Sequence, residues 1–189
     1  MIRLPRVLSL SAACLAFITL SACNPGPNPD AKKVIVACLA VSAADASAIL
    51  GGNLTATKMT GDDAPHSICS YNDEKDNNHG LVQLQKADGI KDPVASLAAD
   101  AALTIGVHKS DVKPATSHPA DGFGPGAYYA DVKPSADDLT VELGLVQDGY
   151  KVKIVVRNTK DFATAEQMAA ALAKKVSENI KNGNAFTAI

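Results

Sequence analysis

The stretch LTVELGLVQDGYKVKIVVR, residues 139–157, decides the fold class. Leu139, Val141, Leu143 and Leu145 occupy every second position up to Asp148-Gly149, and Tyr150, Val152, Ile154 and Val156 do so on the return. Period two is the mark of a strand with one buried face. Asp and Gly both tolerate the positive φ of a two-residue primed turn, so the stretch is an antiparallel hairpin with its apolar residues inward and Lys151 and Lys153 outward. A sheet built on such a hairpin exposes an apolar face that another layer must cover.

Amphipathic helices supply that layer. Downstream, Thr164 and Gln167 stand at capping-box spacing and predict a helix running to about Asn182-Gly183. Ala165, Met168, Leu172, Val176 and Ile180 form its apolar stripe, which reads as core packing. Upstream, Ala127 to Val132 is a further strand. Asp92-Pro93 opens a helix with an N-cap residue and a first-turn proline, and Val94, Leu97, Ala98 and Ala101 form its apolar face. Between them, Thr104 to Gly126 holds three prolines and four glycines and predicts a long loop with one short strand near Val107.

Earlier still, Thr55–Thr60, Ile68–Asn72 and Leu81–Lys86 read as a meander of strands. Ser42 and Asp45 mark the start of a helix that Gly51-Gly52 ends. Lys32 to Ala40 reads equally as strand or helix. The sum is an α+β fold: a two-layer sandwich, antiparallel sheet with amphipathic helices packed on it, in a single domain over residues 33–189.

The N-terminus is an address. Arg3 and Arg6 precede an apolar run from Val7 to Leu20, which is shorter than the roughly 20 residues a spanning helix needs. The following Leu20-Ser21-Ala22-Cys23 resembles the lipobox of bacterial lipoproteins. That resemblance implies a signal peptide over residues 1–22, cleavage before Cys23, and lipid (diacylglyceryl, and palmitate on the new amine) at Cys23, with two or more chains holding stably where one is marginal. Asn24 to Asp30 alternates proline with polar residues and makes a semi-extended linker over residues 23–32. Asn24, where an Asp would mark inner-membrane retention, favours the outer membrane facing the periplasm in a Gram-negative host.

Cleavage removes both arginines of the leader and no acid, so the mature chain is more acidic than the formal −2 of the whole. A mildly acidic chain with no basic stripe is not a nucleic-acid binder. Trp is absent and aromatics are 4% of the chain, so the core must be built of Val, Ile, Leu and Ala. Cys14 leaves with the leader and Cys23 is consumed by lipid. That leaves Cys38 and Cys69, an even pair in an oxidising compartment, which reads as one disulfide, the alternative being two free thiols.

The run from Cys38 through Ser42-Ala43-Ala44-Asp45 to Leu50-Gly51, then Cys69-Ser70-Tyr71, then Gly122-Phe123-Gly124 leading to Tyr128, resembles a group of small secreted bacterial lipoproteins of unknown function. The resemblance implies a PsbP-like α/β sandwich with an antiparallel sheet. The chain differs from the group by Pro125-Gly126 in the Gly-rich turn.

No nucleophile elbow, phosphate loop, dinucleotide fingerprint or His-Glu-x-x-His occurs in the sequence. Asp73 to Gly80 spaces oxygen donors as a calcium loop would, but in the wrong register for an EF-hand and with Lys75 among them. His66, His108 and His118 make a metal site only if folding gathers them. Neither catalytic residue, cofactor nor metal is therefore assigned. Phe123, Tyr128 and Tyr129 are the one dense aromatic group, beside a Gly/Pro-rich loop, and are the candidate contact for a ligand or partner. Strand alternation puts the two tyrosines on opposite faces, one expected buried and one exposed. The reading is a non-catalytic binding module, anchored to the membrane through lipid on Cys23, for an envelope protein or small ligand. The alternative is an envelope hydrolase or metal-dependent enzyme whose site is dispersed in sequence.

Overall fold

A computed structural model describes residues 32–61 and 64–189. The leader, Cys23, most of the linker and Asp62-Asp63 lie outside the described residues. The element order is β1 (Lys33–Ile35), α1 (Ala37–Ala40), α2 (Ala43–Leu50), β2 (Thr55–Lys58), β3 (His66–Asn72), β4 (Asn78–Lys86), α3 (Pro93–Val107), β5 (Lys113–Pro119), β6 (Tyr128–Lys133), β7 (Thr140–Gln147), β8 (Tyr150–Arg157), α4 (Phe162–Lys181) and β9 (Phe186–Ala188). The fold is α+β. Seven antiparallel strands form one sheet in the order β2-β3-β4-β8-β7-β6-β5, and β1 pairs with β9 in a separate ribbon.

The β7–β8 hairpin lies at the centre of the sheet. Asp148 and Gly149 both take positive φ, 52° and 80°, and the register Val141↔Val156, Leu143↔Ile154, Leu145↔Val152 puts all six apolar side chains on one face. Val82, Leu84, Cys69 and Tyr71 extend that face through β4 and β3, and α1, α2 and α4 cover it. From α4 come Ala165, Ala169, Leu172, Val176 and Ile180, all buried. The alanines let this helix lie close to the sheet.

The N-terminal part of the domain is pinned onto this core. Ser42 and Asp45 form a reciprocal capping box at the start of α2, and the Ser42 hydroxyl holds the Asp45 carboxyl below its ordinary range. The buried Tyr71 hydroxyl donates to the Val41 carbonyl at 2.8 Å, and the Asn179 amide of α4 donates to the Ala40 carbonyl at 3.0 Å. Cys38 and Cys69 are disulfide-bonded, with Cα atoms 5.1 Å apart, joining α1 to β3.

One open reading is settled and three local expectations are corrected. The segment Lys32 to Ala40 is both strand and helix, divided at Val36. The final helix is capped by Asp161, whose carboxylate accepts from the Thr164 backbone N–H at 2.8 Å, so it starts earlier than the Thr164–Gln167 spacing suggests. Val107 is the last residue of a 15-residue α3 and belongs to no strand. The supposed long loop after it contains β5, with Pro114 as its second residue and Pro119 as its last. Proline is tolerated there because β5 is an edge strand with one ladder partner.

The helices do not share one layer. α3 packs on the opposite face of the sheet from α4, where Leu97 and Ala101 meet Tyr128 and Ala130.

The disulfide closes a 31-residue separation. Chain-entropy arithmetic then assigns it about 3–4 kcal/mol. The Cys38→Ala, Cys69→Ala variant should lose that much in urea unfolding with an otherwise native spectrum. A loss under about 1 kcal/mol would show that the pinned helices hold without it.

Candidate functional site

The β6 strand carries Tyr128 and Tyr129 to opposite faces, as alternation requires. Both are buried, at 5% and 8% exposure, so the expected exposed member of the pair does not exist. Tyr129 joins the main core beneath α4, and α3 covers Tyr128. Phe123 is half-buried against the main core. The three aromatics therefore do not form an exposed contact patch.

Tyr128 anchors a polar seam beneath α3. Its ring packs against Gly144, where an added Cβ would fall 2.2 Å from a ring carbon. Its hydroxyl donates to Glu142 Oε1 at 2.6 Å, Thr104 Oγ1 donates to the same oxygen at 3.0 Å, and Lys153 Nζ lies 3.2 Å from Oε2. Lys151 Nζ reaches Asp100 at 2.6 Å and Ser96 Oγ at 3.0 Å. Burial first, then the Glu142 charge, pushes the Tyr128 phenol far above its ordinary range, so it stays a neutral donor.

These contacts flank the buried Leu97 and Ala101 of α3 with polar side chains. Ser96, Asp100 and Thr104, spaced i, i+4, i+8, face the sheet and meet its polar residues. Leu103 and Val107 point outward, 66% and 68% exposed, with Val112 just beyond. Helical spacing puts Leu103 and Val107 on one face. Of the large apolar residues exposed among the described residues, Val94, Leu103 and Val107 lie on α3, and none is an aromatic.

Beside that helix runs a cleft. The β5–β6 connection closes through Ala120 N–H to the Ala127 carbonyl at 2.9 Å, and Gly122, Gly124 and Gly126 all take positive φ. At Gly126 an added Cβ would meet Val94 Cα at 2.9 Å, so only glycine lets the loop seat against α3. Loop and helix enclose an open cleft of about 770 Å³, lined by Ala98, Ala102, Ile105, His118, Pro119 and Pro125 among others.

His118 also reaches the other face. The register His118↔Tyr129 puts its ring beside that of Tyr129, with centroids 5.5 Å apart, and beside Asp131, two residues further along β6. Glu166 arrives from the first turns of α4. His118 Nε2 lies 3.3 Å from Glu166 Oε1 and 3.9 Å from Asp131 Oδ2. One donor atom from each of the three residues lies within 4.8 Å of the others. Asp131 Oδ1 is buried with no hydrogen-bond partner. Burial, then the Glu166 charge, raises the Asp131 carboxyl above its ordinary range, against His118 and Lys113.

Folding thus gathers His118 with two carboxylates, not with His66 and His108. Asp131 and Glu166 were invisible in the sequence because their nearness depends on β5 existing and on where α4 begins. The other candidates are spent locally. His108 pairs with Asp111 at 2.8 Å. Asp73 accepts from the Lys75 and Asn77 backbone N–H groups, from the Asn77 amide and from His79, which closes the polar loop on itself.

No family model, curated protein or solved structure matches the chain.

Since both tyrosines are core residues, Tyr128→Ala and Tyr129→Ala should each cost about 3–5 kcal/mol, the range for truncating a large buried aromatic. Thermal denaturation of the two variants checks this. A near-native melting temperature for either would contradict its burial.

Proposed function

We propose that this chain is a lipid-anchored envelope protein whose domain acts as a non-catalytic binding module. The lipobox-like Leu20-Ser21-Ala22-Cys23 and the proline-rich linker support the anchor through lipid on Cys23 and, with Asn24, placement on the outer membrane facing the periplasm. The disulfide fits an oxidising compartment. Among the described residues, no helix is long and apolar enough to cross a membrane. The PsbP-like two-layer sandwich belongs to this same proposal: α1, α2 and α4 with the sheet make its two layers, and α3 is an addition on the far face.

One observation carries the binding reading: α3 presents Leu103 and Val107 to solvent while Ser96, Asp100 and Thr104 bond to the sheet beside the buried Leu97 and Ala101. Apolar surface that a helix could have turned inward marks an interaction surface. The occupant we infer is an envelope protein that lays an apolar segment along α3, because the outward side chains are aliphatic and the one charged side chain of the helix, Asp100, is taken up by Lys151. A second reading, a metal-dependent envelope enzyme, draws support from the convergence of His118, Asp131 and Glu166.

Replacing Cys23 by Ala should abolish lipid labelling and release the protein from membranes. A Cys23→Ala protein still processed at Ala22 and still membrane-bound would end the lipoprotein reading. The Leu103→Asp, Val107→Asp variant should keep its stability to within about 0.5 kcal/mol per site, as surface substitutions do. It should lose site-specific cross-links from Ala99 to envelope proteins. Undiminished cross-linking would move the surface away from α3.

A further inference from the structure

We propose that His118, Asp131 and Glu166 form a binding site for a divalent first-row transition cation, of which Zn²⁺ is the natural probe. The inference stands on side-chain geometry and is independent of the anchor and of the α3 surface.

The donors come from three elements that meet at one corner of the sheet. β5 supplies an imidazole nitrogen, β6 a carboxylate, and α4 a second carboxylate. Zinc binds nitrogen and oxygen ligands at about 2.0–2.2 Å, which puts tetrahedral neighbours about 3.3–3.6 Å apart. The separation from His118 Nε2 to Glu166 Oε1 is already 3.3 Å, and that to Asp131 Oδ2 is 3.9 Å. All three donor atoms already lie within 4.8 Å of one another, so small side-chain rotations close them onto one ion. His118 and Glu166 are partly exposed, at 43% and 26%, so they can make that adjustment.

The second observation is an unmet demand for positive charge. Asp131 Oδ1 is buried without a hydrogen-bond partner, and a buried acceptor left unsatisfied is costly. Asp131 also faces Glu166, a like charge. Lys113 and His118 offset only part of this, and Lys113 Nζ lies over the Phe162 ring instead, 5.4 Å from its centroid. A divalent cation held between Asp131 Oδ2 and Glu166 neutralises both carboxylates at once.

The donor set selects the metal. An imidazole favours zinc, copper, iron or nickel over calcium and magnesium, which take oxygen alone. Three protein ligands leave at least one position open, the arrangement of sites that hold water or an exchangeable ligand rather than of closed structural sites.

Zn²⁺ titration of the full chain in mild detergent, read by competition with a chromogenic chelator, tests the site. One saturable equivalent is expected. Glu166→Gln is isosteric and partly exposed, so the fold should survive, and affinity should fall about tenfold or more, the lower end of what even outer-shell changes cost. His118→Ala should do the same, while His79→Ala and His108→Ala leave binding unchanged. Zinc should raise the melting temperature of the wild type and not of Glu166→Gln. No saturable binding, equal binding by Glu166→Gln, or loss in His79→Ala would each overturn the proposal. So would Ca²⁺ displacing Zn²⁺ at comparable concentration.

Discussion

The register of the β7–β8 hairpin governs the domain. With positive φ at Asp148 and Gly149, the turn is two residues long and leaves no freedom in which side chains oppose one another. A slip by one residue would drive Lys151 and Lys153 into the core and bring Val152 and Ile154 out to the other face. The register also continues outward in both directions: β4 pairs with β8 and β6 with β7, so each inherits its facing from the central pair. The turn is itself secured, because the Asp148 carboxylate accepts from Ser177 Oγ at 2.6 Å and pairs with Lys181, both on α4.

Two unlike faces follow from that one constraint. Toward α4 the sheet offers Val141, Leu143, Leu145, Val152, Ile154 and Val156, and hydrophobic burial holds the layer there. Toward α3 it offers a small apolar cluster around Tyr128 and Ala130, and beside it Glu142, Lys151 and Lys153. A helix can pack on such a face only by meeting charges with partners, which Ser96, Asp100 and Thr104 provide. Buried ion pairs contribute less to stability than apolar contacts of the same size, since desolvation offsets their attraction. They specify orientation instead, and the orientation they specify leaves the aliphatic side chains of α3 in water. The apolar surface is therefore a consequence of the polar seam.

Much of this was legible from the chain. The hairpin, the α2 and α3 starts, the apolar stripe of α4 and the Cys38–Cys69 pairing each rest on local chemistry that no tertiary contact overrides. What escaped was decided at a distance. Pro114 and Pro119 hid β5, because proline excludes only central strands and nothing local says that a strand will be an edge. Asp161 displaced the Thr164 cap because it begins the helix one turn earlier and takes Thr164 as its own partner. The burial of both tyrosines could not be read from alternation, which assigns faces but not what covers them. The His118, Asp131 and Glu166 cluster needed all of these at once: an edge strand, a strand register and a helix start.

The central claim is that one face of the sheet is held by apolar burial and the other by a polar latch. Native-state hydrogen exchange measures the two separately. Amides of β7, β8 and α4 should exchange only through global unfolding. Those of α3, which buries just Leu97 and Ala101, should exchange through a smaller opening at distinctly lower free energy. Equal opening free energies for α3 and the β7–β8 hairpin would contradict the account, for then the polar seam would be as much a part of the cooperative core as the apolar face.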